Sequence, residues 1–494
     1  MGPRQAHWDQ IQKDTLWDVV IIGGGATGLG VAVHAATQGW KTLLVERTDF
    51  AKGTSSRSTK LIHGGVRYLQ QGNIRLVQES LRERGLLMKN APHLVQNLGF
   101  VIPAYSHWKR LYYSIGLKVY DRLAGRLGLG KSRLLSSRET LDFLPNLSAK
   151  GLIGGILYHD GQFDDAQLAV SLARTAAASG ATMLNHCSAI GLLKSQGNLT
   201  GIQVQDELTG TRVQVRAKHV VNATGAFGDA LMVMDNRDHK ALIRPSQGVH
   251  IIVAGSFMAS KTAMLIPKTD DGRILFAVPW HGFTLLGTTD TAIDTLQEEP
   301  QAMDSEIEFI LNHTGRYLNR TPQKEDILSI FAGIRPLVKS QNHTTRALSR
   351  EHLIRVSPSG MISVLGGKWT TYRKMAADVI RKIIKMNGDH EILADTRMMR
   401  MTDSSDPPFP ASISGLDPNE LQKWIQIAIE TSMCMTVEDF LARRTRQLFL
   451  DAQHAMARAR EVAICMARIH GHPESWIETQ IDAFSEIAKG FLPK

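Results

Sequence analysis

Two apolar runs joined by a glycine-rich turn limit what this chain can become. WDVVIIGGG (Trp17–Gly25) reads as a buried strand that ends in glycines. ATGLGVAVHAATQG follows with helical spacing and Gly39 as its C-cap, and KTLLVER (Lys41–Arg47) is a second buried strand. Gly23, Gly25 and Gly28 form G-x-G-x-x-G between the strands. Such glycines let a phosphate backbone approach and expose a helix N-terminus, whose dipole favours anions. Glu46, at the end of the second strand, stands where a carboxylate accepts bonds from ribose hydroxyls. An acid rather than a base there suits an adenosine ribose without a 2′-phosphate. Val19–Val33 is the most apolar stretch, but it is short and carries five glycines, so it does not read as a membrane span. Met1–Asp18 is mixed in charge and leads to no convincing cleavage site, so no signal peptide is expected.

The turn does not separate NAD from FAD. The segment after it does. Asp49–Gln70 is crowded with hydroxyls, glycine and basic residues and has little periodicity. It reads as a ligand-lining loop, whose donors wrap a pyrophosphate and an isoalloxazine edge. Its core, TSSRSTKLIHGGVRYL, closely resembles the signature of FAD-dependent glycerol-3-phosphate dehydrogenases of the aerobic, respiratory type. Further blocks resemble that family in order: APHLV (Ala91–Val95), HVVNATGAFGD (His219–Asp229), LLGTTD (Leu285–Asp290), AGIRPL (Ala332–Leu337), LGGKWTTYRK (Leu365–Lys374) and EDFLARRTR (Glu438–Arg446). His34 replaces the acid expected in the first helix, and Phe227 stands where the family often has Trp.

The resemblance implies an α/β fold. A Rossmann-like FAD-binding domain of the glucose-oxidase/D-amino-acid-oxidase type is expected from residues 15–98, 145–230 and 335–390. A mixed-sheet substrate domain is expected from 99–144 and 231–334. HIIVAG, RILFAVPW and FTLLGTTD read as its strands. Thr402–Gly415 is a polar, proline-bearing linker, and a C-terminal helical domain is expected over 416–494. Thr436-x-x-Asp439 reads as a helix capping box.

The implied activity is oxidation of sn-glycerol-3-phosphate to dihydroxyacetone phosphate, a step of glycerol metabolism, with hydride transfer to flavin N5. The implied FAD contacts are Gly23, Gly25, Thr27, Gly28, Glu46, Arg47, Thr54, Ser55, Lys60, Leu61, His63, Ala189, Gly225, Gly366, Lys368 and Thr370. No metal is expected. A base must take the hydroxyl proton, and neutral histidine suits that near pH 7. His63 and His250 are the candidates, His250 slightly favoured because strand alternation aims it into a cleft. A phosphorylated substrate needs cations on desolvation. Arg67, Arg335 and Lys368 come from three remote segments to supply them, with Tyr68 as a hydroxyl donor and Arg350 as a weaker fourth. Lys368 also opens a helix whose N-terminus would stabilise reduced flavin.

Lys+Arg number 57 against 47 Asp+Glu, a net +10, which suits an acidic partner. Three scattered cysteines, Cys187, Cys434 and Cys465, exclude a disulfide framework and a four-cysteine cluster within this chain and point to a reducing compartment. Electrons must therefore leave the flavin directly. The resemblance implies a membrane quinone, reached by a cytoplasmic enzyme peripheral on the inner face of the cytoplasmic membrane. Two basic stretches qualify for an anionic lipid surface. His107–Arg133 has seven Lys/Arg, one acid and interleaved Trp108, Tyr112, Tyr113 and Tyr120; Lys374–Lys385 carries Ile380, Ile383 and Ile384. A solvated face over the core is the alternative for each. A homodimer stays open. So do an oxidase using oxygen and an amine or amino-acid oxidase of the same flavin fold. Nucleic acid is not expected, since no recognised binding signature occurs.

Overall fold

The structure, a computed structural model, describes residues 1–70, 72–267, 269–339, 352–388, 392–402 and 409–493, the side chains of Arg67 and Gln70 excepted. The apolar run opens as the strand Leu16–Ile22, followed by the helix Ala26–Thr37 and the strand Thr42–Val45. Leu16–Ile22 lies parallel to Thr42–Val45 on one side and to Arg212–Asn222 on the other. Thr182–Leu184 and Ile362–Leu365 extend the sheet in parallel. Leu353–Val356 closes one edge in the antiparallel sense, and an antiparallel arm, Cys187–Ser195 with Asn198–Asp206, completes eight strands.

A parallel sheet must be covered on both faces, which is why its strands are near-continuous Val/Ile/Leu. Val19 and Ile21 pack with the helices Ala26–Thr37, Asp165–Ala178 and Tyr372–Asn387. Val20 and Ile22, on the alternate face, pack with Trp8, Trp17 and the arm.

A second sheet has ten strands and mixed directions. Its long pair, Ile243–Ala254 with Ile327–Val338, is antiparallel and sets Ser246 opposite Arg335 and His250 opposite Phe331. The expected strands in HIIVAG, RILFAVPW and FTLLGTTD are there as Ile243–Ala254, Leu275–Trp280 and Phe283–Gly287. Leu61–Ile62, Val95–Ala104 and Gly154–Phe163 also pair in this sheet, although their ranges lie wholly or partly in segments expected for the FAD unit. The loop after the dinucleotide turn thus passes from one sheet into the other.

The C-terminal region carries the helices Pro418–Ser432, Ala452–His470 and Glu474–Lys489. The expected capping box forms: Asp439 N donates to Thr436 Oγ1 at 3.1 Å and Thr436 N to Asp439 Oδ2 at 3.0 Å. A π-helical turn, Asp439–Arg444, follows it. Arg443, Arg444 and Arg446 in that motif are buried, a feature sequence reasoning missed. Part of the expected linker, 403–408, lies outside the described residues.

Candidate active site

The cofactor end is built from close backbone approaches. Gly23 has φ +113°, and a Cβ there would lie 2.6 Å from Ala223 O. A Cβ on Gly28 would lie 1.9 Å from Gly23 O. Any side chain would push the helix Ala26–Thr37 off the turn. Gly25 caps that helix, and Ala26 N donates to Ser55 Oγ at 2.9 Å, so Ser55 sits at the dipole's positive end beside half-buried Thr27. Glu46 is fixed against the glycine turn. Its Oε2 accepts from Gly24 N at 2.6 Å and its Oε1 from Thr48 N at 3.0 Å. A carboxylate has lone pairs beyond these. Gly225 begins the turn after Arg212–Asn222, next to this glycine contact. The Arg47 guanidinium lies 5.7 Å from the Phe227 ring, so the Phe at that position still offers an aromatic face. The cradle has the shape and the donors that a dinucleotide requires.

A cavity follows, lined from four remote segments. Thr54, Leu61, His63, Tyr68, His250, Arg335, Gly366, Lys368 and Thr370, all singled out by sequence, line it. Pairing of Ile243–Ala254 with Ile327–Val338 delivers His250 and Arg335 to one end. Gly248 makes room: a Cβ there would lie 2.2 Å from Arg335 NH2. The guanidinium is aimed by Thr288 Oγ1 at 3.0 Å, Thr289 O at 3.1 Å and Gln247 O at 3.3 Å, with Asp290 Oδ1 at 3.4 Å. Lys368 precedes the turn Trp369–Thr371, which runs into the helix Tyr372–Asn387. Its ammonium donates to Ser80 Oγ and lies 5.0 Å from the Tyr68 ring. His63 follows the short strand Leu61–Ile62, and its carbonyl accepts from Thr370 Oγ1 at 3.4 Å.

His250 is buried against Phe331, ring on ring at 4.9 Å. Its Nε2 meets Thr59 Oγ1 at 2.9 Å, while Nδ1 is buried without a hydrogen-bond partner. Burial, then the charges of Arg335 and Lys60, hold the imidazole well below its ordinary 6.5. The ring is therefore neutral at neutral pH and able to accept a proton.

Other expected residues lie elsewhere. The Lys60 ammonium does not line the cavity. It is wholly buried, donates to Ser56 O at 2.7 Å and to both Asp165 carboxylate oxygens, and is ringed by Trp280, Phe331 and Phe449. Burial lowers its pKa to about 7. The positive φ of Lys60, 63°, belongs to the turn that carries it there. Ala189 sits in the antiparallel arm, outside the cavity lining and two residues past Cys187, whose N donates to Glu46 O at 2.7 Å, so it stands at the Glu46 end of the turn. Arg67 lies on the helix Val66–Gln70 beside Tyr68, its side chain outside the description. Arg350 lies outside the described residues.

Two of the lining residues that were missed carry polar groups into the site. Thr59 touches His250, and Arg57 is buried with its guanidinium on Glu299. Both belong to the hydroxyl-and-base-rich loop that the sequence marks out. Which of its members point inward depends on how the loop enters the second sheet.

The whole arrangement has known counterparts. The family model described as FAD dependent oxidoreductase (DAO) matches residues 18–373. The mitochondrial glycerol-3-phosphate dehydrogenase of Rattus norvegicus is 43% identical over 402 residues, covering 78% of this chain and 55% of that protein. A mitochondrial glycerol-3-phosphate dehydrogenase of Arabidopsis thaliana is 43% identical over 384 residues, covering 74% of this chain and 61% of that one. The chain thus spans little more than half the length of the curated relatives it matches. The glycerol-3-phosphate dehydrogenase of Bacillus halodurans, solved with FAD, superposes with a TM-score of 0.80 at 28% identity, over 99% of this chain and 98% of that chain.

Proposed function

Because the chain belongs to the FAD-dependent oxidoreductase family, we propose that it oxidises sn-glycerol-3-phosphate to dihydroxyacetone phosphate. The observation that carries this reading is the meeting of Arg335, Lys368 and a neutral His250 in one cavity. FAD, when bound, supplies the acceptor for the hydride leaving the carbinol carbon. The chain's residues do the rest. Arg335 offers a forked donor already oriented by Thr288 and Thr289, and Lys368 adds a point charge, so a phosphate dianion is desolvated beside two cations. His250 takes the hydroxyl proton through Thr59, whose hydroxyl donates to Nε2 and accepts from the substrate hydroxyl in its place. His63 lies towards the helix N-terminus that follows Lys368 and lines the cofactor side. A dianion balances the two cations, whereas an amine or amino-acid substrate does not, so that alternative is disfavoured.

The decisive experiment is anaerobic addition of glycerol-3-phosphate to the purified holoenzyme. The visible flavin absorption should bleach; an unchanged spectrum would reject the substrate. Reoxidation by a quinone without stoichiometric peroxide is expected, and peroxide formed at every turnover would establish an oxygen-using enzyme instead.

For the acceptor we propose a quinone met at a membrane surface, on the inner face of the cytoplasmic membrane. Among the described residues no helix is long and apolar enough to cross a membrane. The helix His107–Ala124 leaves Trp108 75%, Leu111 50%, Tyr112 55% and Ile115 57% exposed. These recur at i, i+3, i+4 and i+7, a single outward apolar stripe, with Lys109, Lys118 and Arg122 exposed alongside. Tyr120 is not part of it: it is buried, accepting from Gly64 N and donating to Asp160. The other basic stretch has no apolar face to offer, because Ile380, Ile383 and Ile384 are in the core. The variant Trp108→Glu/Ile115→Glu should abolish sedimentation with anionic vesicles and retain turnover with a soluble acceptor. Vesicle binding equal to the parent's would remove this helix as the contact.

A further inference from the structure

A second basic groove shares no lining residue with the cavity. It lies between the helices Ile74–Asn90 and Tyr372–Asn387 and residues 393–397. Six cations line it, Arg75, Arg82, Arg373, Lys374, Arg381 and Arg397, against three acids, Glu79, Glu83 and Asp395. The acids are largely committed. Glu83 accepts from Arg373 at 2.5 and 2.9 Å, and Asp395 from Arg397 at 2.7 and 2.9 Å. Lys374 and Arg381 share Asp378. Arg75 and Arg82 are exposed and have no ion pair among the described residues. With Gln78 and Glu79 they recur at i, i+3, i+4 and i+7, so one helix face carries both. Arg75 also lies in the first turn of its helix, which contains no acid. A cation there opposes the helix dipole, and an anion over it would satisfy both.

The groove's floor supplies an independent sign. His34 is 1% exposed, and its Nε2 has no hydrogen-bond partner. Its Nδ1 faces Thr396 Oγ1 at 3.4 Å. Burial and the nearby Arg373 outweigh a backbone hydrogen bond at Ala394 and lower its pKa to about 4, so the ring is a neutral polar group in the groove's floor. An acid at position 34, which the family resemblance implies, would have answered part of the cation excess. Histidine leaves that excess for a ligand. We propose that this groove is a binding site for a phosphate-bearing anion, held by Arg75 and Arg82 at its rim and by the His34 imidazole at its floor.

Isothermal titration of the holoenzyme with inorganic pyrophosphate tests this. The parent should show two sites, one in the cavity and one in the groove. Arg75→Glu/Arg82→Glu should lose one, and the milder Arg82→Gln should weaken it about tenfold, the loss of one charge-assisted bond. A parent with a single site that the double variant loses would confirm the groove while denying phosphate binding in the cavity, so the two readings fail separately. A parallel arm measures sedimentation with phosphatidylglycerol vesicles. Loss there, with equal pyrophosphate isotherms, would identify a lipid headgroup as the source of the phosphate. Equal isotherms together with equal sedimentation for parent and double variant would overturn the proposal.

Discussion

Alanine in place of Lys368 or Arg335 should leave FAD bound and lower kcat/KM for glycerol-3-phosphate by on the order of a hundredfold, about 3 kcal/mol of transition-state binding. Both side chains line the cavity, yet neither contributes to the glycine turn, Glu46 or the helix Ala26–Thr37 that would grip the dinucleotide. The loss should therefore appear in substrate turnover and not in flavin content. The two variants should differ in one respect. Lys368 donates to Ser80, a neutral and buried partner whose hydroxyl keeps its own bond to Leu76 O at 2.6 Å. Arg335 is bound by Thr288, Thr289, Gln247 and the Asp290 carboxylate, so its removal leaves that carboxylate short of a donor and should cost some stability as well. Steady-state kinetics with the flavin content measured on the same sample checks both. Turnover unchanged in either variant would remove that residue from the phosphate clamp.

The second large effect is structural. Asp49→Ala should destabilise the protein by about 3–5 kcal/mol and loosen its hold on FAD. Asp49 is wholly buried in the loop just past Glu46. It accepts from Arg443 Nε at 2.5 Å, from Arg444 NH2 at 2.9 Å and from Asn185 Nδ2 at 2.9 Å. Arg443 keeps Glu438 and Asp439 when the carboxylate goes. Among the described residues Arg444 then keeps hydrogen bonds only to the Ser432 hydroxyl and carbonyl, and its remaining negative neighbour, Asp439, is already held by Arg443. Two desolvated charges bonded to each other become one with no carboxylate bonded to it, and that asymmetry sets the size of the effect. Arg446 makes a parallel link, to Ser56 O and Asp165, so the C-terminal motif grips the cofactor loop at two points. Thermal melting of the holoenzyme with release of flavin fluorescence should show both consequences at once; a parental melting curve would refute the clamp.

The chain carried a good deal in linear form. The strand–glycine–helix–strand order needs only local spacing, and the turn's glycines are required by backbone distances within a few residues of it. The helix after Lys368 could be placed because its apolar positions repeat at 3.6 residues. His63, Tyr68, Arg335, Lys368 and Thr370, from three family-like blocks, line one cavity, because motif and local backbone travel together, whereas Lys60 of the first block does not.

What linear order could not supply is where long-range pairing sends a side chain. Lys60 and Thr59 are neighbours in sequence, yet Thr59 reaches His250 and Lys60 turns into the Asp165 pocket, because the short strand Leu61–Ile62 pairs with Gly154–Phe163. The two basic stretches look alike as text. Only packing put Ile380 and Ile383 in the core and left Trp108 and Ile115 in the open. Three arginines in EDFLARRTR read as surface charge until Asp49 and Asp165, some 400 and 280 positions earlier, are brought against them. Periodicity follows from bonds a few residues apart and is therefore written in the chain. The partner of a buried charge follows from the energy of excluding water across the whole molecule, and that is settled only when distant segments meet.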